Sequence, residues 1–187
     1  GTRVVSVADR EGDLFEGLIA ARQAGAADFL VRAQHDRAVA DGAGRLFAHL
    51  DALDAAGVQE LAIPRRGNQK ARTARMAVRF ARVTLDPPRN KRDQAPVSVD
   101  VIRTTEIDPP RGARPLAWTL LTTVPTDTLE AACERIEWYA RRWQIEVYHR
   151  TLKSGCRIEE RQLGSADSLE ACLGVDLVVA WRVMGLT

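Results

Sequence analysis

The sequence predicts an α/β protein, and three observations carry that expectation. Residues 4–8 form a short β-rich apolar run, and a helical stretch separates it from a second buried run at Phe29, Leu30 and Val31. The middle of the chain alternates apolar and polar residues between proline-marked turns. The last third carries two long helical patterns. Period-two alternation puts one face of a strand in the core, whereas apolar residues three and four apart make one stripe of a helix.

The first run, ending at Asp9, reads as a strand. Residues 13–23 read as a helix, because Leu14 and Leu18, and Phe15 and Ile19, are each four apart, and Gly25 stops it. The helix is long enough for a crossover, so the strand at residues 29–31 is expected to lie parallel to the first. A turn with Gly42 and Gly44 leads to a short helix at residues 46–53. Alternating segments follow at residues 58–63, 75–85 and 97–104, punctuated by Pro87-Pro88 and Pro109-Pro110. Residues 36–115 are therefore read as an antiparallel β insertion subdomain, between a strand-helix-strand core segment at 1–35 and a returning strand with helices at 116–187. In that last segment Asp127 and Glu130 have capping-box spacing. They open a helix whose stripe is Leu129, Cys133, Ile136, Ala140, Trp143 and Val147, and a second helix covers residues 168–184.

Composition narrows the function classes. The 187 residues are 45% hydrophobic and 28% charged, the balance of a packed globular protein rather than a disordered one. No apolar run approaches the roughly 18 residues of a membrane span. Three cysteines without C-x-x-C spacing and three histidines argue against a disulfide scaffold and a zinc site. A reducing, cytoplasmic setting and oxygen-liganded metal are the expectation. Between Pro64 and Arg92 stand ten basic residues (Arg65, Arg66 and Lys70 among them) against the single acid Asp86. The remainder holds 17 basic and 24 acidic residues, a net of −7. A basic block on an otherwise acidic chain points to a polyanion such as DNA, because phosphate contacts release counterions. A solvated strand edge kept soluble by arginine gives the same pattern.

Two placements carry candidate chemistry. Asp9 stands just past a buried strand, a favoured position for a functional group in α/β folds, and equally for a turn or cap residue. Tyr139, Arg142, Glu146 and Lys153 follow at spacings of 3, 4 and 7. On one continuous helix they fall within a band about 60° wide. A carboxylate among cations suits a divalent metal beside phosphate, and it also suits a salt-bridged surface.

Together these residues resemble a known family. Val5-Ser6-Val7-Ala8-Asp9-Arg10-Glu11-Gly12-Asp13, then Phe29-Leu30-Val31-Arg32-Ala33-Gln34-His35, is similar to the second-aspartate region of bacterial insertion-sequence DDE transposases, the group that includes the enzyme of transposon five. Tyr139-x-x-Arg142-x-x-x-Glu146-x-x-x-x-x-x-Lys153 matches that group's Tyr-Arg-Glu-Lys motif, and the resemblance extends over nearly the whole chain. It implies a partial RNase H-like fold and two-metal-ion cleavage and strand transfer at transposon ends. Asp9 and Glu146 would be the catalytic and metal-holding carboxylates for Mg²⁺ or Mn²⁺. Arg142 and Lys153 would bind phosphates and Tyr139 the backbone. Trp118 matches a tryptophan on which an extruded base stacks, and is equally read as a core residue. Arg32 and His35 match positions beside the active site.

The implied partners are double-stranded DNA and a second copy in a synaptic homodimer, without a membrane, on the bacterial nucleoid. The family's first carboxylate lies on an earlier strand than any present here. The expectation is therefore a catalytic-domain fragment, inactive alone, with a non-catalytic DNA-binding remnant using the arginine-rich insertion as the alternative.

Overall fold

The structure is a computed structural model that describes residues 3–23, 25–64 and 70–185, apart from the Asp41 side chain. Among the described residues, six strands form one sheet in the order β1-β2-β6-β5-β4-β3. They are β1 (Val5–Ala8), β2 (Asp28–Arg32), β3 (Gly57–Ile63), β4 (Arg72–Leu85), β5 (Val97–Ile107) and β6 (Ala117–Thr122). The helices are α1 (Phe15–Ala20), α2 (Leu46–Asp51), α3 (Leu129–Arg141), α4 (Gln144–Arg150) and α5 (Ala166–Met184). The first pair is parallel, from Val5 opposite Asp28 to Ala8 opposite Val31, with α1 in the crossover. All the other pairings are antiparallel. The mixed α/β class expected from the pattern is the one observed.

The strands predicted within residues 36–115 form, and they extend the same sheet that holds β2 and β6. Val101 of β5, for example, pairs with Ala81 on one side and with Leu121 of β6 on the other. Burial follows the alternation. Met76 and Val78 are fully buried on one face of β4, and the far end of the same strand buries Val83 and Leu85 on the other. The latter pack with Phe15, Leu18, Leu46 and Leu50, which is how the short helices α1 and α2 hold one side of the sheet.

Compactness divides the chain into one unit of residues 1–139 and another of 140–187. The second contains α4, a π-helical segment (Thr151–Gly155) and α5. Ser165 caps α5, accepting from the Ser168 amide at 3.2 Å. Val175, Val178 and Trp181 on that helix are 64%, 57% and 60% exposed, so α5 is not a core helix despite its apolar composition. Among the described residues no helix is long and apolar enough to cross a membrane.

Three local expectations are corrected. The helix expected at 13–23 is shorter, because Leu14 is extended and the Asp13 carboxylate is used elsewhere. The cap before α3 is Thr128, whose hydroxyl accepts from the Ala131 amide at 3.1 Å, rather than an Asp127–Glu130 box. The single long helix through Lys153 is interrupted. At Arg142 and Trp143 the bonds tighten, with the Ile145 amide on the Arg142 carbonyl and the Glu146 amide on the Trp143 carbonyl. After α4 they widen, because the Thr151 hydroxyl donates to the Val147 carbonyl and the Cys156 amide reaches back five residues to Thr151. A uniform 100° per residue therefore does not run from Tyr139 to Lys153, and the four residues do not form one band of a continuous helix.

Candidate active site and nucleic-acid interface

β1 ends on a backbone turn that the sequence dictates closely. Asp9 caps a short 3₁₀ turn (Arg10–Gly12), its Oδ1 accepting from the Glu11 amide at 3.2 Å. Gly12 is required there: a Cβ would lie 2.6 Å from the Ala8 Cβ and 3.3 Å from Val31 Cγ2. The turn is thus pressed onto β1 and β2. Asp9 and Arg32 each follow the last parallel pair, Ala8 opposite Val31, and so stand side by side at one end of the sheet. Arg32 is anchored by its Nη2 donating to the Ala117 carbonyl at 3.1 Å. The next residue, Trp118, is half-buried on β6 and meets the buried Tyr139 ring edge-on, 5.0 Å between centroids at 70°. Asp9, Arg32, Trp118 and Tyr139 all belong to the first unit.

Four residues after Asp9 lies Asp13, to which the sequence assigned no role. The Asp13 side chain is wholly buried, and its Oδ2 accepts from the Gln34 amide at 2.7 Å and the His35 amide at 3.0 Å. Its Oδ1 pairs with Arg37, itself nearly buried, and Arg37 also donates to the Asp13 carbonyl at 3.0 Å. This ion pair fixes the loop leaving β2 against the loop leaving β1. The His35 side chain is exposed and faces an open cleft of about 1160 Å³ shared with Arg37, Arg45 and Arg89. A second aspartate four residues after Asp9 was the available signal. Its arginine partner, 24 residues away, was not visible in the sequence.

In the second unit Glu146 is exposed and accepts from Arg142 Nη2 at 3.1 Å, an i,i+4 pair. Lys153 pairs with Glu159 at 2.8 Å, and that hydrogen bond raises the pKa of the exposed Lys153 ammonium. The motif's charged residues are thus partnered locally. Among the described residues no three His, Cys, Asp or Glu side chains cluster as metal ligands. Asp9 and Glu146 are both hard oxygen donors, chemically suited to Mg²⁺ or Mn²⁺.

The basic block divides. Arg65 and Arg66 lie outside the described residues. Lys70 is exposed ahead of β4. Arg72 is bound by Glu106, Arg79 by the Leu53 carbonyl at 2.8 Å, and Arg82 by Asp100 at 3.0 Å. Lys91 pairs with Glu16 of α1. Much of the charge read as a DNA surface therefore serves the fold. The Glu106 side chain is almost completely buried; hydrogen bonding from Arg72 holds its carboxyl below the usual range against the opposing effect of burial. Burial pushes Asp100 up, opposed by Arg82.

Residues 18–174 match the family model described as Transposase DDE domain. The chain belongs to that family. Domains of this family are DNA-processing, act in transposition-related cleavage and recombination, and generally use divalent metal ions. The match to the transposase DDE domain includes Arg32, His35, Lys70, Trp118, Tyr139, Arg142, Glu146 and Lys153; Asp9 lies ahead of it.

Proposed function

We propose that this DDE domain is the C-terminal part of a transposase catalytic core of the Tyr-Arg-Glu-Lys group, with an RNase H-like ancestry and residues 36–115 as its inserted β segment. It would cleave and join DNA at transposon ends. The observation that carries the reading is the corner where Asp9 and Arg32 stand side by side at the end of the parallel strand pair. The family match and the Tyr139–Lys153 spacing support it.

Asp9 and Glu146 are the residues that would hold Mg²⁺ or Mn²⁺. Such ions, two in the proposed chemistry, activate a water or a DNA 3′-hydroxyl and stabilise the leaving oxygen. Half-burial and the Glu11 amide orient Asp9 for that task. Arg142 and Lys153 bind phosphates by exchanging their present carboxylate partners, Glu146 and Glu159, for DNA. Trp118 offers a ring for an extruded base, with Tyr139 bracing it and reaching the backbone through its hydroxyl. Arg32 positions this corner and His35 meets DNA beside it. Lys70, Arg65 and Arg66 contact the duplex. Two copies pair the two ends on the bacterial nucleoid, in the cytoplasm.

Two carboxylates hold a divalent ion more weakly than three, so this chain alone is expected to bind DNA without cleaving it. In a transposase carrying this domain, Asp9→Ala or Glu146→Ala should each abolish end cleavage while DNA binding survives. Cleavage retained in either variant sinks the catalytic reading. It would leave the second one, a non-catalytic DNA-binding module using the arginine-rich segment of residues 64–92.

A further inference from the structure

The strand pairings bring several connections to the same end of the sheet. Ala8 pairs with Val31, Arg32 with Leu120, Thr105 with Ala117, and Arg75 with Ile107. The end of β1 with Asp9, the end of β2, the β5–β6 loop and the start of β4 therefore share one rim. On that rim Arg32 and Arg72 are held by protein acceptors. Arg111 and Arg114 of the β5–β6 loop, and Arg75 and Lys70 of β4 and its approach, are exposed. Arg111 and Arg114 make no ion pair or hydrogen bond among the described residues.

The loop that carries them is built rather than loose. Glu106 and Leu116 close its base reciprocally: the Glu106 amide donates to the Leu116 carbonyl at 2.8 Å, and the Leu116 amide to Glu106 Oε2 at 3.0 Å. Arg72 Nη2 donates to the same carboxylate at 3.0 Å. Within the loop Pro109 and Pro110 restrict the backbone, the Ala113 amide closes a turn on the Pro110 carbonyl, and Gly112 takes φ +80°. Two cations on a pre-shaped loop lose little entropy on gripping a ligand. Of the acids on these elements, Asp108 stands in the loop and Glu60 opposite Arg75.

We propose that the β5–β6 loop is a phosphate clamp for duplex DNA, with Arg111 and Arg114 extending the binding path from the Trp118 corner toward Arg75 and Lys70. Glu106 is its positioning residue. This rests on the proposed DNA-processing function and adds to it contacts that neither the motif nor the basic block contains.

The test measures anisotropy of a fluorescein-labelled mixed-sequence duplex with this chain across a salt series. Arg111→Ala/Arg114→Ala should weaken binding several-fold and reduce the log K–log salt slope by roughly 1–2, since each phosphate contact contributes about 0.9. Arg22→Ala removes a cation from the turn before β2, at the end of that strand away from Arg32, and should leave the slope unchanged. A slope unaltered in the double variant, or reduced equally by Arg22→Ala, overturns the clamp alone. Salt-insensitive binding or no binding by the unaltered chain overturns the DNA-processing reading and the clamp with it.

Discussion

Replacing Asp13 by alanine probes the support beneath the Asp9 corner. The substitution deletes the acceptor of two backbone amides, at 2.7 and 3.0 Å, and removes the carboxylate facing Arg37. Gln34 and His35 are exposed, so water can replace the backbone bonds at about 1 kcal/mol each. Arg37 has no such recourse: its side chain is 7% exposed, and its Nε is buried without a hydrogen-bond partner. Stranding one member of a buried pair costs about 3–5 kcal/mol, and that effect dominates. Against a domain stability of about 5–15 kcal/mol it is a large fraction. Urea unfolding followed by tryptophan fluorescence should show a midpoint lower by roughly 1–5 M, given slopes of about 1–3 kcal/mol per molar. Asp13→Ala/Arg37→Met should recover part of the loss, because it removes the stranded charge. A single variant within about 1 kcal/mol of the unaltered protein, or a double variant worse than the single, would refute the reasoning.

Gly12→Ala forces a methyl into a 2.6 Å approach to the Ala8 Cβ, and the overpacking should cost about 1–3 kcal/mol in the same unfolding assay. Glu106→Gln tests the loop base through pH. The folded Glu106 carboxyl is depressed, so its stabilisation is present above the ordinary carboxylate range, near pH 4.3, and is lost as pH falls through the folded value. The variant should be less stable at neutral pH and lose less on acidification; parallel pH–stability curves would contradict this. Glu159→Gln frees Lys153 from its ion pair and should tighten DNA binding at low salt, an effect fading as salt screens the charge. Unchanged affinity at low salt would place Lys153 away from the phosphates.

The strands were legible because each writes its burial locally: Met76 and Val78 lie two apart between Arg75 and Arg79, and the apolar runs ending at Ala8 and Val31 mark the parallel pair. The interruption at Arg142–Trp143 carried no glycine or proline to announce it. The widening after α4 came from a threonine hydroxyl competing for a carbonyl, a choice that propensity does not encode. Charge was misleading for a different reason. Arg72, Arg79 and Arg82 look like a polyanion surface until the partners at Glu106, Leu53 and Asp100, brought in by the fold, are known. Asp13 and Arg37 were hidden in the same way, while the neighbourhood of Asp9 and Arg32 followed from the strand ends.

Binding of Mn²⁺ to this chain, followed by the EPR signal of the free ion, tests the central proposal that Asp9 and Glu146 hold divalent metal ions. Asp9→Asn and Glu146→Gln should each weaken Mn²⁺ binding by about tenfold or more. If either variant binds Mn²⁺ as the unaltered chain does, that carboxylate holds no metal and the account is wrong.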